Sequence, residues 1–380
     1  VPTGQWLKGW NKERRIKIVL DKDKINAALT HFPHRIHLSK VSGTGKYDAR
    51  KVFDELGANN LKIAVTSSDG IKQLYVEIDN WDATNKTADL WVSRSDWTIS
   101  SLVDTVIYLY YDKTHADNSA YVGVTGSVPA QNVWDTYTKA AYHMNDATTS
   151  TILDSTSNDN DGTKKAANEP IEADGKIGKA QDFAGDDDAI NIGQPASLDF
   201  TVFSVSLWFK SDVVESVGVI GRHSWAGQIR GYYITPRAYD VIRAYIGNGT
   251  TSGFIQSTTE YDTSNFIFVC LTYDGTTGRL YVNGAEEGTP ITVGYLNDPT
   301  DLMIGKWRDG VGEGEYDGIV DEIQISENAW SPAWVGASYE TQRDNLNFLS
   351  LEIREAIIHP GAPVPTPPLK RSFLLKVHDW

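Results

Sequence analysis

The sequence predicts an all-β protein made of two β-sandwich domains in series and ending in an extended, proline-rich tail. Three observations carry this expectation. Short runs rich in β-branched and aromatic residues recur with turn residues between them. Only one segment combines the start signals of a helix. The 380 residues also exceed the roughly 250 to 300 at which a single core stops growing, so the chain should divide.

In chain order, the first strands are expected at 15–20, 34–38, 61–65, 74–78, 88–92 and 105–111. Ile16, Ile18 and Leu20 alternate, as do Val106, Tyr108 and Tyr110, so each set shares one face of its strand. Residues 112–131 are rich in turn formers, including Gly123, Gly126, Ser127 and Pro129. They place a first domain at 1–122, a connection at 123–132 and a second domain at 133–345. In that second domain strands are expected at 202–210, 217–222, 232–235, 242–246, 266–273, 279–282 and 318–326. Asn283-Gly284 marks a tight hairpin, because a type I′ turn needs positive φ at both central residues. Ser331 as N-cap with Pro332 at the first helical position starts the one expected helix, read as short and lid-like. Residues 346–380 hold an apolar stretch, a proline-rich run and a strand-like end at 372–377, a pattern expected to be extended and to pack on a neighbouring subunit.

Composition narrows the function. Hydrophobic residues at 40% and aromatics at 11% supply real cores, which excludes wholesale disorder. Lys and Arg total 35 against 50 Asp and Glu, a formal charge of −15 that opposes nucleic-acid backbones and anionic membranes. No apolar run reaches the roughly 20 residues of a membrane-spanning helix. The single Cys, Cys270, lies in an apolar run and reads as a small buried hydrophobe, not a nucleophile.

Residues 6–112 resemble domain of unknown function 2341, through Trp10 with Arg14-Arg15-Ile16-Lys17-Ile18, Phe32-Pro33, Tyr47-Asp48-Ala49, Ser68-Asp69-Gly70, Tyr75-Val76-Glu77-Ile78, Trp81, Leu90-Trp91-Val92 and Ile107-Tyr108-Leu109-Tyr110-Tyr111. Residues 133–342 resemble the concanavalin A-like, laminin G-like jelly roll. Its carriers are Tyr142-His143-Met144-Asn145, Asp154-Ser155-Thr156-Ser157-Asn158, Gly175-Lys176-Ile177-Gly178-Lys179-Ala180, Ser206-Leu207-Trp208-Phe209-Lys210, Leu280-Tyr281-Val282-Asn283-Gly284 and Asp321-Glu322-Ile323-Gln324-Ile325-Ser326. The resemblance implies a protein of the cell exterior, cell surface or virion surface whose jelly roll binds glycan or mediates adhesion. It equally admits a structural subunit of a virus particle, surface layer or filament. It further implies a structural Ca2+ held by Asp154, Asn158 and Asp321, oxygen ligands that suit a hard cation. Ala184 departs from the Asp that relatives usually carry there.

A sugar site needs an exposed aromatic face beside polar groups, since a sugar ring offers both C–H surface and hydroxyls. Trp225, Tyr232, Tyr233, Trp307 and Asp309, at turn-rich strand ends, are the candidates. Trp208, Phe268 and Tyr281 sit in apolar runs and read as core. A glycoside hydrolase or lyase is the minor alternative, kept because the fold hosts such enzymes but disfavoured: the retaining jelly-roll glycosidases use Glu-x-Asp-x-Glu or a one-residue-longer form, and no segment matches. Glu77 and Asp79 alternate on one strand, but the next position of that parity is Trp81. His31, His34 and His37 do not form a metal triplet, because His34 and His37 point to opposite faces of a strand.

Overall fold

The computed structural model describes residues 5–352, except 12, 148, 167–168, 214–215, 226, 238–239, 308–313 and 345–348, and for Leu349–Glu352 the backbone alone. The proline-rich tail after 352, its expected strand at 372–377 and Asp309 lie outside the described residues. The protein is mostly β, as expected.

In the first half, where a two-sheet sandwich was expected, most strands form one eight-stranded sheet, and Leu29–Thr30 pairs with Thr98–Ile99 apart from it. Seven of its strands run in the order Leu349–Glu352, Arg15–Leu20, Thr105–Tyr111, Ile63–Thr66, Gln73–Asp82, Thr87–Ser93 and His34–Leu38, and the eighth, Val122–Val124, lies beside Gln73–Asp82. The two halves of this sheet join through only Val65↔Leu74 and Thr66↔Gln73. Ile16, Ile18, Leu20, Ile107 and Leu109 from one half meet Leu74, Val76, Ile78, Leu90 and Val92 from the other in one buried cluster, so a bent sheet encloses the core. The helix Arg50–Leu56 covers it with Val52, Phe53 and Leu56. At seven residues that helix is too short to announce itself by periodicity. The described residues of the expected tail, Leu349–Glu352, pair antiparallel with Lys17–Leu20 of the same chain.

The expected connection at 123–132 is structured. Val122–Val124 runs parallel to the Gln73–Asp82 strand, and Val128–Gln131 is a short helix with Pro129 in its first turn. A three-residue parallel pairing depends on distant chain, which is why local turn signals concealed it.

The second half is a sandwich of two eight-stranded sheets. One runs Ile171–Asp174, Lys179–Ala184, Asp317–Ser326, Phe203–Ser211, Ile267–Tyr273, Thr277–Val282 and Ala285–Thr292, with Thr138–Tyr142 also on Asp317–Ser326. The other runs Thr151–Ile152, Gly162–Lys164, Ile190–Gly193, Leu302–Ile304, Ile220–Trp225, Ile229–Arg237, Val241–Asn248 and Ser252–Gln256. Alternate residues such as Phe203, Val205, Leu207, Ile234, Ala244, Ile246 and Ile323 fill the space between them. The hairpin at Asn283-Gly284 forms as predicted, with φ of 48° and 82° and Val282 paired to Ala285.

The helix Pro332–Arg343 begins where expected, Ser331 accepting a hydrogen bond from Trp334 N. It is a wedge, not a lid. Ala333, Ala337 and Trp334 join the core of the first half, while Val335 and Tyr339 pack with Trp208, Phe268, Cys270, Tyr281 and Trp330 on the outer face of the sandwich. Trp208, Phe268 and Tyr281 are therefore buried as predicted, but beneath this helix. Trp208 Nε1 donates to Gln342 Oε1 at 2.6 Å, which satisfies the one polar atom of that indole. His34 and His37 part as strand parity requires: His34 is buried against the Thr341 hydroxyl, and His37 contacts the Asp89 carboxylate beside Arg35.

Candidate functional site

The outer face of the second sandwich sheet carries a row of rings. Register places Gly221, Tyr233, Tyr245 and Phe254 directly opposite one another on four successive strands. Period-2 alternation sends their neighbours Ile234, Ala244 and Ile255 inward to the core, so the row faces out. Tyr233 and Tyr245 stack at 4.4 Å and 10°, Tyr245 meets Phe254 at 5.2 Å, and His223 meets Tyr233 at 4.3 Å. Phe254 is 44% exposed, and Tyr233 and Tyr245 are partly so.

Gly221 breaks the row for a reason. A Cβ there would lie 2.5 Å from Trp307 O and 2.7 Å from Tyr233 Cβ, so only glycine lets the segment bearing Trp307 lie across the strand. The Trp307 ring then stands 6.1 Å from Tyr233 and extends the platform. Polar groups border it. Arg243 lies 4.4 Å over Phe254, donates from Nε to Gln256 Oε1 and reaches the Tyr245 hydroxyl at 3.3 Å. Burial and the neighbouring Tyr245 push the Tyr233 hydroxyl up, so it stays protonated and able to donate.

Of the predicted sugar contacts, Tyr233 and Trp307 lie in this row. Trp225, 59% exposed, projects from the far end of the Ile220–Trp225 strand, two positions beyond His223 on the same parity. Tyr232 is a correction: one residue from Tyr233, it has the opposite parity, is 2% exposed and stacks on Phe203 inside the sandwich. Asp309 is outside the described residues. Tyr245, Phe254 and Arg243 were missed in the sequence. Their alternation within 241–256 was visible, but the strand pairing that lines them up was not.

The residues expected to hold calcium each make hydrogen bonds within the protein. Asp154 Oδ1 accepts from Ala141 N and Thr156 N, and Oδ2 from Asn160 N and the Thr156 hydroxyl. Four donors use the lone-pair directions of a carboxylate, so this side chain organises its own loop. Asn158 donates to Thr138 O and the Thr156 hydroxyl. Asp321 instead accepts from Ile177 N under the segment 175–177. Among the described residues two other groups have metal-compatible geometry: Asp79, His143 and Glu322, and the run Asp186, Asp187 and Asp188. In the run, Asp187 pairs with Lys165 and Asp188 Oδ2 accepts from Ala184 N.

One surface cavity lies apart from the aromatic row. It has a volume of ≈ 730 Å³ and lies at the sandwich edge between Thr251–Gly253 and Pro290–Gly294, where the Tyr273 hydroxyl is already bonded to Val293 O. A second cleft of ≈ 540 Å³, lined by His31, Tyr75, Trp134, Thr156 and Asn158, lies where the two halves meet. The stacked rings offer a flat platform.

Residues 184–336 match the concanavalin A-like lectin/glucanases superfamily and form a domain of that kind. No curated protein matches the chain by sequence. Among solved structures, similarity extends to the binding domain of Paraclostridial Mosquitocidal Protein 1, at 12% identity and a TM-score of 0.44 over 54% of this chain and 52% of that one. It extends also to domain 4 of an extracellular arabinanase from Geobacillus stearothermophilus in complex with arabinotriose, at 21% identity and 0.40 over 52% and 96%. The ligand binding domain of botulinum neurotoxin serotype D in complex with N-acetylneuraminic acid gives 13% identity and 0.42 over 54% and 51%. The chain thus spans about half the length of the toxin binding domains that it resembles.

Proposed function

We propose that the protein is a non-enzymatic, surface-exposed glycan-binding protein that engages sugar on the outer face of its second domain. The observation that carries this reading is the cross-strand row Tyr233, Tyr245 and Phe254, extended by Trp307, with Arg243 at its border. Such rings cover the C–H face of a sugar while Arg243, Gln256 and the Tyr hydroxyls address its hydroxyls. In this reading residues 6–112 are a support of the type called domain of unknown function 2341.

The test is a broad glycan array followed by calorimetry on the hits. Tyr245→Ala and Phe254→Ala are expected to weaken binding about tenfold each, roughly 1.4 kcal/mol, while Leu102→Ala, at an exposed site in the first half, changes nothing. Absence of any hit, or hits insensitive to both ring substitutions, would sink the assignment.

A further inference from the structure

Where the two halves meet, one imidazole lies among four carboxylates with almost no solvent. Glu77 and Asp79 come from the Gln73–Asp82 strand of the first half. His143 directly follows the Thr138–Tyr142 strand, and Asp321 and Glu322 sit on Asp317–Ser326. The side chains of His143, Glu322 and Asp79 are 2%, 1% and 4% exposed. Trp91 and Trp134 close over the imidazole at 5.6 and 5.9 Å. Among the described residues the only basic side chain in ion-pair distance of these acids is His143. A dry site with this charge requires a compensating cation or bound protons.

The geometry favours a cation. His143 Nδ1 is 3.0 and 3.2 Å from the two Glu322 oxygens and 3.9 Å from Asp79 Oδ2. Donor atoms on a common ion at 2.0 to 2.2 Å stand about 3 to 4 Å apart. Asp79 Oδ2 is buried and makes no hydrogen bond, although Asp79 Oδ1 accepts one from Asn145 at 2.8 Å. That leaves one carboxylate oxygen aimed at the gap with nothing to hold it. Behind this inner set stands a further carboxylate. The other ring nitrogen, Nε2, faces Glu77 Oε1 at 3.5 Å, and Glu77 is itself fixed by Trp134 Nε1 and the Thr125 hydroxyl. Nε2 is buried and makes no hydrogen bond, so Glu77 is a carboxylate within reach behind the ring, placed to take that N–H once an ion is held at Nδ1.

We propose that Asp79, His143 and Glu322 bind one divalent transition-metal ion, Zn2+ by its ligand preference, which clamps the first half of the chain to the first and last strands of the lectin-like sandwich. One imidazole with two carboxylates suits a borderline ion better than Ca2+, which takes oxygen alone. The site stands next to the residue expected to bind calcium: Asp321 is adjacent to Glu322, and a shift in pairing register between Ser206 and Trp208 lies opposite both. Glu322, at φ 50°, is thereby turned toward the first half. The site is distinct from the aromatic row and independent of the glycan reading.

The experiment uses the full chain, stripped with a chelator in denaturant, refolded with ZnCl2 or CoCl2 and dialysed. About one Zn2+ per chain should remain by elemental analysis, and Co2+ should show the intense visible bands of a tetrahedral or five-coordinate site. Asp79→Asn and Glu322→Gln, which keep shape and remove charge, should lower retention at least tenfold, with near-ultraviolet circular dichroism reporting whether each variant is folded. Retention below about 0.1 ion per chain in the unaltered protein overturns the proposal. So does retention that the two substitutions leave intact, or weak octahedral Co2+ bands that vanish in Asp187→Asn, which would place the ion at the exposed acidic run. Because the Co2+ spectrum is read on the unaltered chain, a variant that fails to fold does not remove the test.

Discussion

Asp154 shows how a single buried carboxylate can serve the loop that contains it. Its oxygens accept Ala141 N, Thr156 N, Asn160 N and the Thr156 hydroxyl, so removing them strands several buried donors. Each orphaned donor costs on the order of 1–3 kcal/mol, partly recovered by relaxation, so Asp154→Ala should lower stability by about 3 kcal/mol in urea unfolding. The loss should be the same with and without calcium; a loss confined to calcium-containing buffer would support the ligand role that the sequence suggested. Burial raises the Asp154 carboxyl from 3.8 to about 6, against the pull of its N–H donors. Between those values the folded chain keeps a proton that the unfolded chain has released. Stability should therefore fall as pH rises from about 4 to 6 and level off above, and Asp154→Asn should flatten that part of the profile. At Tyr232 and Tyr233 the lesson is parity: adjacent tyrosines in a strand face opposite ways, and only one of them can meet a ligand.

At the level of elements, the parts legible in the sequence are those set by neighbours in the chain. The Asn283-Gly284 turn and the Ser331-Pro332 helix start depend on a few adjacent residues, and both formed as read. Gly284 is required twice over: its φ is 82°, and a Cβ would sit 2.9 Å from the Tyr339 ring. Gly284→Ala should thus cost about 1–2 kcal/mol, the sum of strained φ and a displaced helix contact. Ser331→Ala, which leaves Trp334 N without its acceptor, should cost about 1 kcal/mol. Chemical denaturation of both variants checks the two values, and a Gly284→Ala protein as stable as the parent would show that the hairpin and helix are not in firm contact. The ring row was illegible for the opposite reason. Tyr233, Tyr245 and Phe254 are joined by pairing between strands, and no local pattern states which strands become neighbours. The helix's role as a wedge was hidden in the same way, since its partners Phe32 and Trp208 lie far off in the chain.

At the scale of the molecule, the expected division into two domains meets an interface that behaves as a core. Trp91 from the first half packs with Val133, Trp134, Ala141 and Ile177, all buried. The helix Pro332–Arg343 buries Ala333 and Ala337 in the first half while Val335 belongs to the second, and Thr341 Oγ1 accepts from Arg35 N at 3.0 Å. Leu349–Glu352 returns to pair with the Arg15–Leu20 strand, so the described chain begins and ends its regular structure in the same sheet. Composition and strand spacing revealed two sets of strands, but the closure of the second half onto the first depends on contacts more than 300 residues apart in sequence. Such closure couples the stabilities of the two halves, because neither can open without exposing Trp91, Trp134 and the wedge helix to water. Calorimetry of the full chain should therefore give one unfolding peak with a van't Hoff enthalpy close to the calorimetric one. A fragment of residues 133–345 should melt lower than the full chain or aggregate, since it presents Trp134, Ala337 and the His143 cluster uncovered. Two resolved peaks, with the fragment melting at the temperature of one of them, would show instead that the halves fold independently and that the interface adds little.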